Sequence, residues 1–330
     1  MARVLLSAPF DKPWSNGPYL ETALRELGCD VSRFDFRSSP DPNAGVLALA
    51  QGFRPVVHII WKGEVYQPAA LRRLSERGAY NVLWHPDVSL PSWLPPLAQA
   101  SDLCCVQSRG MLHPFRLAGI RDPEWLMEGL TPSCFPFEAI TPAERGDYEC
   151  DVALIGTVDG SPGYLKRLWA LDRLVREGFR VKWWGRRVPL LHNPLRAWLS
   201  PARRAWGGRL VWGESYATAC RGAKVLLTLP RDPDAPGGLS SGAFMATGAG
   251  AFHLCLYRSG MEEFFRLGSE VVSFHDEDEM VEKVRYYVTH DEERRAVAEA
   301  GRRRTLGDYT NHHTFRRLFR MIADRGGPQL

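Results

Sequence analysis

The chain has 330 residues, of which 45% are apolar and 24% charged, with a formal net charge of +4. This length admits two domains with separate cores, the composition is that of an ordinary globular protein, and the charge is too mild to demand a polyanionic partner. Seven cysteines with no C-x-x-C pair argue against both a disulfide framework and a zinc site. No apolar run approaches the ~20 residues of a membrane span. Arg3 to Leu6 is a short strand broken at Pro9 rather than a targeting signal, so no transmembrane segment and a cytoplasmic location are expected.

Arg3 to Ala8 is predicted as a buried strand, Tyr19 to Leu27 as a helix ended by Gly28, and Val31 to Phe36 as a second strand. The connection from first strand to first helix carries Asn16 and Gly17, where open α/β sheets commonly hold ligands. A helix near Ala44 to Gln51 leads to a strand at Val56 to Trp61. A helix at Pro68 to Arg77 leads to a strand at Asn81 to Trp84, and a strand at Asp102 to Val106 precedes a helix at Arg109 to Ala118. Short apolar strands alternating with helices indicate a parallel sheet covered on both faces.

Phe137 to Asp147 is polar, carries Pro and Gly and lacks periodicity, so a linker is placed there. The alternation then restarts with a strand at Asp151 to Ile155 and a helix at Tyr164 to Glu177. Strands follow at Arg180 to Trp184, Ala223 to Leu229, Gly250 to Cys255 and Glu270 to Phe274, with a helix at Glu279 to Val288. The expected domains are therefore 1–140 and 141–311. A helix in 312–330, rich in Arg316, Arg317 and Arg320, either crosses back onto the first domain or lies solvated.

The most distinctive stretch runs from Pro236 to Leu254, an uncharged run of small residues after a strand and a polar turn. It suits a backbone that approaches a phosphate at a helix start, with the helix at Phe244 to Thr247 and its stop at Gly248 to Gly250. The G-x-G-x-x-G and P-loop spacings are absent, which leaves a tightly packed helix–strand junction open as the alternative. Residues 185–212 carry Arg186, Arg187, Arg196, Arg203, Arg204 and Arg209 with Trp198, Trp206 and Trp212 and no acidic residue. Either this is a solvated face over a packed stripe of Leu191, Leu195 and Leu199, or it meets an anionic acceptor or surface, a membrane or a nucleic acid.

The second half resembles the CgeB-like (spore-maturation type) branch of the group 1 glycosyltransferases. The resemblance rests on Asp151-Val-Ala-Leu-Ile-Gly-Thr157, Lys166-Arg167, Trp183-Trp184-Gly185, Tyr216, Gly238 to Ala251, Gly268-Ser-Glu-Val-Val272 and Asp276-Glu-Asp-Glu279. Lys283-Val-Arg-Tyr-Tyr287, His290-Asp-Glu-Glu-Arg294 and Ala298-x-Ala-Gly301 complete it. In the first half only Trp84-His85-Pro86-Asp87 and Glu128-Gly129 resemble that family. The resemblance implies an α/β GT-B fold, two Rossmann-like doubly wound domains facing across a cleft. It also implies a metal-independent enzyme that moves a sugar from a nucleotide-diphospho-sugar, UDP-linked by expectation, to an unidentified hydroxyl, with no other cofactor.

On that reading the diphosphate lies against Gly156, Thr157, Lys166, Arg167, Tyr216, Gly237, Gly238, Leu239, Ser240 and Ser241. Main-chain N–H groups and hydroxyls there would stabilise the charge growing on the leaving nucleotide. His85, Asp87 and Glu64 are the catalytic candidates for deprotonating the acceptor, with His85 and Asp87 the preferred pair. Asn16, Gly17 and Lys62 are the acceptor-binding candidates. Many relatives carry an Arg and a ribose-binding Glu where this chain has Gly242 and Met245. Met245 is a poor acceptor for ribose hydroxyls, which keeps open a non-catalytic GT-B protein that binds nucleotide or sugar; the basic, aromatic stretch 185–212 keeps open a phage-type enzyme acting on modified bases of DNA.

Overall fold

The structure is a computed structural model and describes residues 1–158, 164–186, 199–230 and 239–330. The chain divides into two compact units, Met1–Thr131 with Tyr309–Leu330, and Pro132–Asp308.

The first unit holds a six-stranded sheet of β1 (Arg3–Ser7), β2 (Asp30–Phe34), β3 (Val57–Trp61), β4 (Tyr80–His85), β5 (Leu103–Val106) and β6 (Glu124–Trp125). Its order is β2-β1-β3-β4-β5-β6, and every pairing is parallel. The two-residue alternation of a strand decides which core each side chain enters. Val4, Leu6, Ile59, Val82 and Trp84 pack on one face with Leu20 and Leu24 of α1 (Gly17–Glu26). Leu5, Ile60, Leu83 and Cys104 pack on the other, against α2 (Pro42–Phe53), α3 (Pro68–Glu76), α4 (Leu94–Gln99) and α5 (Leu112–Leu117).

The C-terminal helix, Asn311–Asp324, adds Phe315, Leu318 and Ile322 to the α1 face. Asn311 fixes its start, accepting from the Gly129 N–H at 3.0 Å and donating to the Thr131 hydroxyl at 2.9 Å. Thr314 donates to the Met127 carbonyl at 2.9 Å. A Cβ on Gly129 would lie 2.4 Å from the Tyr309 carbonyl oxygen, so this crossing of main chains requires glycine.

The second unit holds β7 (Cys150–Ile155), β8 (Val181–Trp184), β9 (Ala223–Thr228), β10 (His253–Leu256) and β11 (Val272–Phe274), all parallel, in the order β11-β10-β9-β7-β8. Val152, Leu154, Val225, Leu227 and Leu254 share a core with α7 (Leu165–Arg176).

Several elements differ from the sequence expectation. The stretch expected as a linker forms α6 (Pro142–Tyr148), because Thr141 and Glu144 cap each other's backbone in a capping box ahead of Pro142. Gly213–Gly222 forms a further helix, α8, where none was expected. The helix placed at Phe244 to Thr247 begins three residues sooner, as α9 (Ser241–Gly248). Helices α10 (Glu277–Thr289) and α11 (Asp291–Asp308) complete the unit. Arg187, Leu191, Leu195, Arg196 and Trp198 lie outside the described residues, as do Gly237 and Gly238.

Candidate functional site

In a parallel sheet every strand ends at the same edge, so the loops after β7, β8 and β9 converge there in the second unit. The Gly156 N–H donates to the Trp184 carbonyl at 2.8 Å, and a Cβ on Gly185 would lie 1.9 Å from the Gly156 carbonyl oxygen. The loops after β7 and β8 thus touch main chain to main chain. Gly156 also holds φ at +148°, in the region that favours glycine.

Arg167, in the first turn of α7, ties this edge together. Its Nη1 donates to the Thr157 carbonyl at 2.9 Å and its Nε to the Leu229 carbonyl at 2.8 Å, joining the loop after β7 to the one after β9. The guanidinium lies 4.9 Å from the Tyr164 ring centroid. Arg167 therefore shapes the edge through backbone carbonyls, whereas its neighbour Lys166 points outward and is exposed. Helix α7 starts at Tyr164 with no side-chain cap.

Helix α9 starts at Ser240, whose φ of −93° and ψ of 156° are extended, also without a side-chain cap. Ser240 is exposed, and Leu239, Ser241 and Gly242 are half-buried. The body of α9 is packed: Ala243, Phe244, Ala246 and Thr247 are buried, and the Thr247 and Thr305 hydroxyls meet at 2.6 Å against α11. Packing explains the small residues from Ala243 to Thr247, while Ser240 at the helix start is exposed. Helix α9 carries no charged residue, and Met245 is half-buried.

Tyr216, a donor-binding candidate, is buried on α8 with its ring edge-on to Phe135 at 5.7 Å. In the stretch after β8, the Trp183 indole donates to the Ala202 carbonyl at 2.8 Å. Asp172 accepts from the Ser200 hydroxyl at 2.5 Å and from the Ala202 N–H at 2.9 Å, which anchors this stretch to α7. Arg209 is paired with Asp147 at 2.9 Å, while Arg186, Arg203 and Arg204 are exposed.

In the first unit, the sequence candidates also follow strand ends, and His85 and Asp87 take different partners. His85 is buried at 2% exposure, and its Nε2 donates to the Ser89 carbonyl at 3.1 Å. Its ring lies against Trp93 at 5.8 Å and Phe115 at 6.1 Å, and its buried Nδ1 has no partner among the described residues. Burial holds the imidazole below its ordinary pKa. Asp87 binds Lys62 Nζ at 3.0 Å instead of His85, and Lys62 itself sits at a φ of +78°. Glu64 pairs with Arg37 at 3.3 Å.

His85 and Asp87, the preferred catalytic candidates, thus make separate contacts: the ring turns into the apolar layer while the carboxylate stays with Lys62. Sequence reasoning gave Glu128 no role. Buried at 5% exposure, it accepts from Asn16 Nδ2 at 2.5 Å and from Gln107 Nε2 at 3.2 Å. It thereby joins the segments that follow β1, β5 and β6. The only signal in the sequence was the pair Glu128-Gly129. Gly17 sits beside this cluster, where a Cβ would lie 2.5 Å from the Pro9 carbonyl oxygen. Among the described residues no group of three His, Cys, Asp or Glu side chains could hold a metal ion. No described helix is long and apolar enough to cross a membrane.

Residues 166–320 match the family described as glycosyl transferase-like. No curated protein matches the chain. Among solved structures, a sucrose-phosphate synthase from Thermosynechococcus elongatus superposes with a TM-score of 0.70 at 12% identity, over 98% of this chain and 100% of that one. An alpha-glucosyltransferase in complex with UDP gives 0.70 at 8% identity over the same shares. Anabaena Alr3699/HepE, in complex with UDP and glucose, gives 0.66 at 12% identity, again over 98% and 100%.

The chain has the GT-B fold. In this GT-B chain the family match starts at Lys166, in the first turn of α7. It takes in Ser240, Ser241 and the whole of α9, but leaves out Gly156 and the first unit up to Thr131.

Proposed function

We propose that this GT-B protein is a glycosyltransferase that takes its sugar from a UDP-linked donor without a metal ion. The observation that carries the reading is the carboxyl edge of the second sheet. There the Gly156–Gly185 backbone contact, the Arg167 clamp and the first turns of α7 and α9, which have no side-chain cap among the described residues, lie around one set of strand ends. Helix first turns present N–H groups with no intrahelical acceptor, and the helix dipole adds partial positive charge, an arrangement that favours a diphosphate. Exposed Lys166 supplies a mobile cation beside them. As the bond from the anomeric carbon to the diphosphate breaks, negative charge grows on the leaving oxygens, and fixed donors stabilise it without reorganising. The match at residues 166–320 and the UDP bound in two of the similar structures support the same choice of donor.

On this reading Gly156, Thr157, Lys166, Ser240 and Ser241 bind the donor, Arg167 positions the loops, and Tyr216 serves packing. Asn16 and Glu128 carry the acceptor side, with Lys62 and Asp87 beside them on the same sheet edge. His85 acts only after its ring leaves the pocket between Trp93 and Phe115. The CgeB-like branch remains our assignment of subtype, and the cytoplasm our assignment of location. Modified DNA bases are the alternative acceptor class, favoured by the exposed Arg186, Arg203 and Arg204.

The second reading is a protein that binds a nucleotide-sugar without turnover. The absence of any charged residue in α9 favours it. Thermal-shift measurements with UDP-, dTDP- and GDP-sugars, followed by an assay of donor hydrolysis, separate the two. Preference for a UDP-sugar with slow hydrolysis supports the enzyme, binding without any turnover supports the second reading, and no binding rejects both.

A further inference from the structure

A cavity of 450 Å³ opens at the other end of the second sheet, where β7 and β9 begin. Its wall includes Cys150, Arg221, Lys224, Arg294 and Arg295, with Phe137 at the rim. Strands of this length span ~20 Å, so the cavity is remote from Gly156 and Leu229 at the strand ends. The volume falls in the ~300–1,000 Å³ range of small-molecule sites.

The cations around it are unequally satisfied. Asp151 takes Arg180 at 3.3 Å and Lys224 at 3.5 Å, and Asp291 takes Arg294 at 2.6 Å. Arg295 reaches Asp291 only at 4.0 Å with its side chain 78% exposed. Glu149, the other acid of the wall, pairs with Arg145 at 3.7 Å.

Arg221 has no carboxylate within ion-pair distance among the described residues. Its Nη1 donates to the Pro136 carbonyl at 2.8 Å, and its Nε is buried without a partner. Arg302, whose Nε is also buried and unpartnered, stacks on the Phe137 ring at 4.0 Å, and Arg221 stands 5.6 Å from the same ring. Burial holds both guanidinium groups below their ordinary pKa. Phe137 keeps its seat because Gly250 leaves room: a Cβ there would lie 2.3 Å from the ring.

Among the described lining residues, Arg180, Arg221, Lys224, Arg294 and Arg295 face two acids, Glu149 and Asp291, and this excess of positive charge calls for an anion. An anion with several oxygens in a fixed array, which a guanidinium edge binds through parallel hydrogen bonds, answers that need. We propose that this cavity is a second anion site, which takes the phosphate of a small phosphorylated compound and is independent of the donor site. Its ligand joins the start of α11 to the end of α8 and so stabilises the second unit on binding.

Calorimetric titration of the full chain with inorganic pyrophosphate tests this, using the wild type, Arg221→Met, Arg295→Glu and Lys166→Ala. The wild type and Lys166→Ala are expected to share a binding event that persists in saturating UDP. Arg221→Met and Arg295→Glu are each expected to weaken that event tenfold or more. Arg295 is exposed, so its substitution reads the site without disturbing the fold. The proposal is overturned if pyrophosphate does not bind in the presence of UDP. Affinities of both arginine variants within threefold of the wild type overturn it as well. Failure of the wild type to bind UDP, with the pyrophosphate event intact, would instead reject the donor reading.

Discussion

Gly185 faces the carbonyl oxygen of Gly156 so closely that a single added methyl would sit 1.9 Å from it. Neither backbone can yield cheaply, since the Gly156 N–H is also held by the Trp184 carbonyl at 2.8 Å. Gly185→Ala is therefore expected to cost about 3 kcal/mol or more and to abolish donor binding with it. Urea unfolding followed by UDP titration checks both. A stable variant that binds UDP normally would show that this contact does not shape the site.

Arg167 separates charge from geometry. Its two hydrogen bonds go to the Thr157 and Leu229 carbonyls, so Arg167→Lys keeps the charge but loses one of the two ties. We expect a stability loss of about 2 kcal/mol and a fall in UDP affinity of tenfold or more. If the lysine variant binds UDP like the wild type, Arg167 acts as a charge rather than as a clamp.

Met245 gives a test in the opposite direction. It is half-buried in α9, at the position where the resemblance drawn from the sequence implies a ribose-binding Glu. Met245→Glu is expected to raise UDP affinity about tenfold, in line with a new hydrogen bond from carboxylate to ribose. Unchanged affinity by calorimetry would mean that ribose is held elsewhere.

Two buried histidines set the acid limit of stability. His58 is fully buried between Ser7 at 2.7 Å and Asn81 at 3.0 Å, and burial pushes its pKa down to about 4. His253, buried beside Thr228, is likewise pushed down to about 4. The unfolded chain, with imidazoles near ~6.5, binds more protons than the folded one in this window. Stability is therefore full above pH ~6.5 and falls as the pH drops toward 4, by on the order of 3 kcal/mol for each ring. Denaturant midpoints at pH 7, 5.5 and 4.5 should decline in that order, and His253→Gln should flatten part of the decline. A midpoint flat across this range would refute the neutral, buried state of both rings.

The strands were legible because a covered parallel sheet needs short, largely apolar runs, and Val57–Trp61 and Ala223–Thr228 read that way despite His58 and Lys224. Helix α6 was not, since its helical signal is the Thr141–Glu144 capping box rather than an apolar stripe. At the site, glycines could be placed at strand ends, but their reason could not: the crowding at Gly185 comes from a residue 29 positions earlier. Glu128 escaped notice because its partners, Asn16 and Gln107, are brought to it only by the order of the sheet. The separate partners of His85 and Asp87 were not legible, for a local reason. Residues on either side of a strand end face different ways, one into the layer and one outward to Lys62.

The central claim is that main-chain amides at the carboxyl edge of the second sheet hold the donor diphosphate. Amide-resolved NMR of the ¹⁵N-labelled chain, titrated with UDP, tests it most directly. We expect the largest shifts at Gly156, Thr157, Lys166, Ser241 and Gly242, saturating together with one affinity. Saturable UDP binding that leaves those amides unmoved, and shifts a different set of residues, would contradict it.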